Sequence, residues 1–175
     1  MKKLFIISLV LASTACMTTP PLPAEQRPPT WAKPINSEQN FYQVSPTLFR
    51  SEQPDVLFLP QLKKHRIQHI INLRHTADNA QLFNPKQFQL THIPIHTWQI
   101  NRQDLLNVMR AIKQAEQRGE KVLIHCYHGA DRTGASIAMY RIIFQHWTIE
   151  QAVQEMKHGG YHFHRIWKNI EQLFT

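Results

Sequence analysis

Ten consecutive residues bring a thiol, small turn residues and a guanidinium together: His125-Cys126-Tyr127-His128-Gly129-Ala130-Asp131-Arg132-Thr133-Gly134. The apolar run Lys121–His125 precedes them, and a second apolar run starts near Thr133. That order predicts a loop between a strand and a helix, where α/β sheets bind their ligands. A helix start offers free N–H groups and the positive end of a dipole, a ready anion site. Gly129 lets the backbone approach a ligand closely. Arg132 can grip two oxygens of a phosphate with its planar fork. Together these groups favour the thiolate of Cys126 over the thiol. A thiolate beside a phosphate-shaped cradle is a nucleophile aimed at phosphorus.

The rest of the composition bounds what such a loop can serve. The 175 residues are room for one domain with a tail. Hydrophobic residues at 42% and charged residues at 18% permit a real core. Cys16 and Cys126 are the two cysteines, which excludes a disulfide-stapled scaffold and a cysteine-rich zinc module. A net charge of +8 and a pI near 9.8 predict attraction to anions, whether phosphate, nucleic acid or an acidic membrane surface. No nucleic-acid motif is present to claim that charge.

Strands and helices alternate along residues 37–175. Residues 41–44 and 48–50 alternate like short strands around a Ser45-Pro46 turn. Asp55 to His65 reads as a short helix broken by Pro60. Ile67–Leu73, Leu90–Ile95 and Lys121–His125 read as buried strands. Residues 101–118 form the clearest amphipathic helix, with Leu105, Val108, Met109 and Ile112 on one face. Asn101 can cap it, Asp104 sits in its first turn, and Gly119 ends it. A helix from Thr133 follows, then helical stretches over Thr148–Lys157 and His164–Phe174. The expectation is an α/β fold with a central, mostly parallel sheet flanked by helices.

Cys126, five intervening residues and Arg132, preceded by His125 and followed by Thr133-Gly134, resemble the signature loop of cysteine-dependent protein tyrosine and dual-specificity phosphatases. The resemblance extends to residues 40–54, to Ile71-Asn72-Leu73-Arg74 and to Gly159–Ile170, which are similar to bacterial members of the dual-specificity-like group. It implies a tyrosine/dual-specificity phosphatase-like fold, no cofactor and no metal. It also implies a two-step mechanism. Cys126 attacks phosphorus while an acid protonates the leaving oxygen, and water then hydrolyses the phosphocysteine with the same group as base. The Arg132 side chain and the loop N–H groups, from Tyr127 through His128, Gly129, Ala130 and Asp131 to Arg132, bind the phosphate oxygens. Thr133 assists the second step by hydrogen bonding to sulfur, and His125 orients the loop from beneath.

The acid departs from the family pattern. Most members supply an aspartate about thirty residues before the cysteine, yet Pro94-Ile95-His96-Thr97-Trp98 holds no carboxylate. Asp131, immediately before Arg132, resembles the subset in which an aspartate inside the loop is the acid. Asp104, His96 or no dedicated acid are the alternatives, and a loop-bracing ion pair is the structural reading of Asp131. Substrates expected are a phosphorylated protein or a small phosphomonoester. A phosphoinositide, a sugar phosphate, or phosphate binding without catalysis remain open, and sulfur transfer and arsenate reduction fit less well. Oligomeric state is not legible.

Other side chains have plainer expectations. His158, His162 and His164 are read as surface or capping histidines rather than metal ligands. Trp98, Trp147 and Trp167 are read as core or rim aromatics, and Arg74 and Arg102 as surface or structural cations. At the N-terminus, Met1-Lys2-Lys3, the apolar run Leu4–Ala12 and Ser13-Thr14-Ala15 resemble a bacterial lipoprotein signal, with Cys16 as the lipidated residue. The expected organisation is a signal peptide over 1–15, a proline-rich tether over 16–36 and a phosphatase domain over 37–175. That implies an extracytoplasmic, membrane-anchored protein, periplasmic and on the outer membrane. At about 3.1 Å per residue the tether would reach roughly 50 Å from the bilayer.

Overall fold

A computed structural model describes residues 17–77 and 80–175. The expected signal peptide and Cys16 lie outside the described residues. Six strands form one sheet: β1 (Lys33–Asn36), β2 (Phe41–Gln43), β3 (Leu48–Ser51), β4 (Ile67–Asn72), β5 (Gln89–His92) and β6 (Lys121–His125). Their spatial order is β1-β2-β3-β6-β4-β5. β3, β6, β4 and β5 run parallel, while β1 and β2 are antiparallel additions at one edge. The register aligns Ser51 with His125, His125 with Asn72, and Asn72 with His92. Four parallel strands therefore end in one row, and the loops leaving them share one edge of the sheet.

Alternation along each strand feeds two cores. Val122 and Ile124 of β6, with Ile71 and Leu48, face one cluster, and Leu123, Ile70 and Phe49 face the other. The first cluster is covered by α2 (Arg102–Gln117), α3 (Asp131–Gln145) and α4 (Ile149–His158). The second is closed by Phe58, Phe83, Phe88 and Leu62, the last from α1 (Leu59–Lys64). Pro60 lies in the first turn of α1, where its missing N–H costs nothing, so it starts the helix rather than breaking it. Asn101 caps α2 in a capping box closed by Asp104.

Two further expectations change here. The helical stretch expected over His164–Phe174 forms only in part, as α5 (Lys168–Glu171) and a short 3₁₀ turn. His164 instead makes an antiparallel bridge to Thr18. Residues 17–36 were read as an unpacked tether, but they lie on the domain. Prolines remove donors there, and several of the remaining amides find acceptors: Thr19 N donates to Phe163 O (2.7 Å) and Leu22 N to His158 O (2.9 Å). Ala32 N donates to Glu155 Oε1 (2.7 Å), Trp31 is buried, and β1 joins the sheet. Glu155 also holds Arg141 bidentately, through Nε and Nη2 at 2.7 Å each, so one buried pair ties α3, α4 and the N-terminal segment together.

Candidate active site

β6 delivers Cys126 at the shared sheet edge, and α3 begins at Asp131, two residues before the expected Thr133. The turn between them is shaped from outside. Gln53 N donates to Tyr127 O (3.0 Å), Asn40 Nδ2 to His128 O (2.9 Å) and Arg50 Nη2 to Gly129 O (2.6 Å). Three successive carbonyls are thus drawn onto the flanking β2–β3 region. The amides of Tyr127, His128, Gly129 and Ala130 donate to no protein group among the described residues. Successive N–H groups left this way make an anion-binding nest. Gly129 has φ +67°, and a Cβ there would stand 2.4 Å from Ser51 O, so both backbone and space demand glycine.

Cys126 is buried at 2% exposure. Arg132 spends Nη1 on Ile95 O (3.0 Å) and Leu73 O (3.4 Å), while its buried Nε has no partner among the described residues. Thr133 Oγ1 is likewise buried without a partner among them. Tyr127, His128, Asp131 and Arg132 line a cavity of about 550 Å³, with Arg74 and Trp167 on other walls. His125, Cys126, Gly129, Ala130 and Thr133 are not on its wall, and Thr133 and Ala130 are fully buried.

His125 lies wholly inside, with Nδ1 3.1 Å from Cys126 O. Burial lowers its pKa to about 4; the Cys126 carbonyl opposes this, and the charges of Arg74, Arg132 and His92 add to it. The unfolded chain therefore binds a proton at this ring, below about 6.5, that the folded chain refuses until about 4. Stability is complete above the unfolded value and falls by about 3 kcal/mol as pH drops through that window. Urea midpoints at pH 7 and 4.5 measure this, and His125→Asn should flatten the difference.

Asp131 is 6% exposed, and His164 engages both its oxygens. The His164 backbone N–H donates to Oδ1 and ring Nδ1 lies on Oδ2, each at 2.9 Å. The bracing role weighed for Asp131 is thus present in the geometry. Asp104 is committed to the α2 cap. His96 stacks on His75 at 3.7 Å and is not on the cavity wall. Arg74, read as a surface or structural cation, lines the cavity and donates Nη1 to Gln53 Oε1 at 2.5 Å. Arg102 reaches Thr175 O instead. No cluster of three metal-ligating side chains occurs among the described residues.

A model of the dual specificity phosphatase catalytic domain matches residues 48–174. The chain belongs to the dual specificity phosphatase family. It is 35% identical over 138 residues to the dual specificity protein phosphatase TpbA of Pseudomonas aeruginosa, covering 79% of this chain and 62% of that protein. The chain thus spans under two thirds of the length of that curated relative. The crystal structure of P. aeruginosa TpbA superposes with a TM-score of 0.76 at 32% identity, covering 83% of this chain and 89% of that one. A TpbA variant crystallised in complex with phosphotyrosine gives 0.77 at 31%, over 85% and 90%.

Within this dual specificity phosphatase domain, sequence reasoning missed the outer supports. Arg50 is fully buried, its guanidinium 3.6 Å above the Tyr161 ring, and burial pushes its pKa below the ordinary value. An arginine inside an apolar strand was the available signal. Asn40, Gln53 and His164 fall in segments that resemble the family, but their partners are remote in sequence, so their roles were not legible.

Proposed function

We propose that the protein is a phosphatase that hydrolyses phosphomonoesters through a cysteinyl-phosphate intermediate. The observation that carries this is the turn after β6. Its carbonyls are tied outward, its amides have no protein acceptor among the described residues, and it joins Cys126 to Arg132 at a helix start. Cys126 supplies the nucleophile, Arg132 and the Tyr127–Asp131 amides hold the equatorial oxygens, and Thr133 and His125 support the loop. The proton for the leaving oxygen comes from the Asp131 side of the turn. Phosphotyrosine is the favoured substrate group, because the related TpbA was crystallised with it and because Tyr127 and Trp167 wall the cavity. Phosphate release from phosphotyrosine and phosphoserine peptides, run in EDTA with and without vanadate, tests this. Vanadate-sensitive release from phosphotyrosine is expected, and no release from either peptide overturns it.

The same reading includes lipid attachment at Cys16 and an extracytoplasmic location, supported by the order of charged, apolar and small residues at the N-terminus. Met17 lies on the wall of the cavity, and its carbonyl accepts from Arg165 N at 2.9 Å. An anchor at Cys16 therefore brings the cavity mouth close to the bilayer instead of holding it at the end of a long tether. The full chain expressed in a Gram-negative host should partition into detergent, and Cys16→Ser into the aqueous phase. Equal partition would overturn the lipid.

A further inference from the structure

We propose that His164 hands the proton to the leaving oxygen and that Asp131 is the positioning residue that holds it. This rests on the phosphatase reading and names the acid within it. Proton delivery by Asp131 requires an O–H directed at the substrate. Both its oxygens are instead turned to one residue thirty-three positions away: Oδ1 accepts from the His164 backbone N–H and Oδ2 lies against ring Nδ1, at 2.9 Å each. An imidazole whose Nδ1–H is held by a carboxylate presents Nε2 at its opposite edge. Nε2 of His164 has no hydrogen-bond partner among the described residues, and the residue lines the same cavity as Arg132. Its side chain is a quarter exposed, enough to reach solvent and substrate.

The mounting is firm. His164 bridges Thr18, its carbonyl accepts from Trp167 N (3.2 Å), and the preceding Phe163 is fully buried. The charged and titratable groups around the ring are Asp131 and Arg132 at the start of α3, His128 in the loop with its ring 5.5 Å away, Arg165 beside it in sequence, and Arg74 across the cavity. Met17 and Thr18, packed from the N-terminal segment, carry no charge. The arrangement also answers the missing carboxylate over residues 94–98, since a donor already stands beside the phosphate turn.

In the first step the S–P bond forms and the P–O bond to the leaving group breaks, and that oxygen takes the proton from Nε2. In the second, water attacks phosphorus and its proton returns to Nε2. The P–S bond then breaks and Cys126 leaves as thiolate. Asp131 accepts from Nδ1 throughout.

The test uses the full chain with His164→Asn, and with His164→Gln as a second variant. Vanadate affinity reports whether the phosphate cradle is intact. We expect kcat/KM for phenyl phosphate to fall ~10²–10⁴-fold and that for p-nitrophenyl phosphate less than about tenfold, because an activated leaving group needs little protonation. The alkaline limb of kcat/KM should vanish in both His164 variants and persist in His128→Gln. Unchanged leaving-group dependence in variants that bind vanadate normally would overturn the assignment to His164. Absence of trapped phosphocysteine in the wild-type chain would instead overturn the underlying phosphatase reading.

Discussion

Cys126→Ser should lower turnover by at least ~10⁴-fold while the chain still folds and binds vanadate. The reason lies in the surroundings of the sulfur. A serine hydroxyl needs a base, and the neighbouring ring cannot act as one. His125 Nδ1 faces the carbonyl of Cys126, and its Nε2 is buried with no partner among the described residues. Burial also keeps that ring neutral down to about pH 4, so it is both turned away and a weak base. The turn keeps its anion site in the variant because Gln53, Asn40 and Arg50 shape it through the carbonyls of Tyr127, His128 and Gly129, bonds that do not involve the sulfur. Single-turnover phosphate release measures the effect. Activity within a hundredfold of wild type would sink the covalent mechanism.

Arg132→Lys should cost ~10²–10³-fold in kcat and weaken vanadate binding by a comparable factor. The guanidinium does two jobs at once. Nη1 is fixed by the carbonyls of Ile95 and Leu73, which sets the plane of the fork, and Nε is left buried beside the turn. An ammonium group can take one job or the other, because it has no planar second edge. The Lys variant should melt close to wild type, since the salt bridges that hold α3 to α4 lie elsewhere, at Arg141 and Glu155. A loss smaller than tenfold would show that the fork is not what grips the phosphate.

Much of this was legible in the sequence where the determinants are contiguous. β4 and β6 announced themselves as apolar runs and α2 by its periodic face, and Asn101 with Asp104 marked the start of α2 within a residue. The turn from Cys126 to Arg132 was legible for the same reason: its thiol, glycine and guanidinium lie within seven residues. The start of α3 was misplaced because Ala130 occupies the cap position with no side-chain hydrogen bond to mark it. Residues 17–36 were misread because proline content reports local stiffness but says nothing of whether the free amides meet acceptors such as Phe163 O and Glu155. His164 was passed over as a surface or capping group because its contact with Asp131 exists only after the segment beyond α4 folds back.

The supports of the phosphate turn have a consequence for how such a domain can diversify. Gln53, Asn40 and Arg50 grip main-chain carbonyls, so they are indifferent to which side chains the turn displays. Tyr127 is exposed and His128 looks into the cavity. Exchanging those two residues alters what the mouth of the site greets without disturbing the curve of the backbone. The curve of the turn and the side chains it displays are therefore set by different residues. A descendant can drift in taste while its reactive machinery is kept in trust by the neighbouring strands.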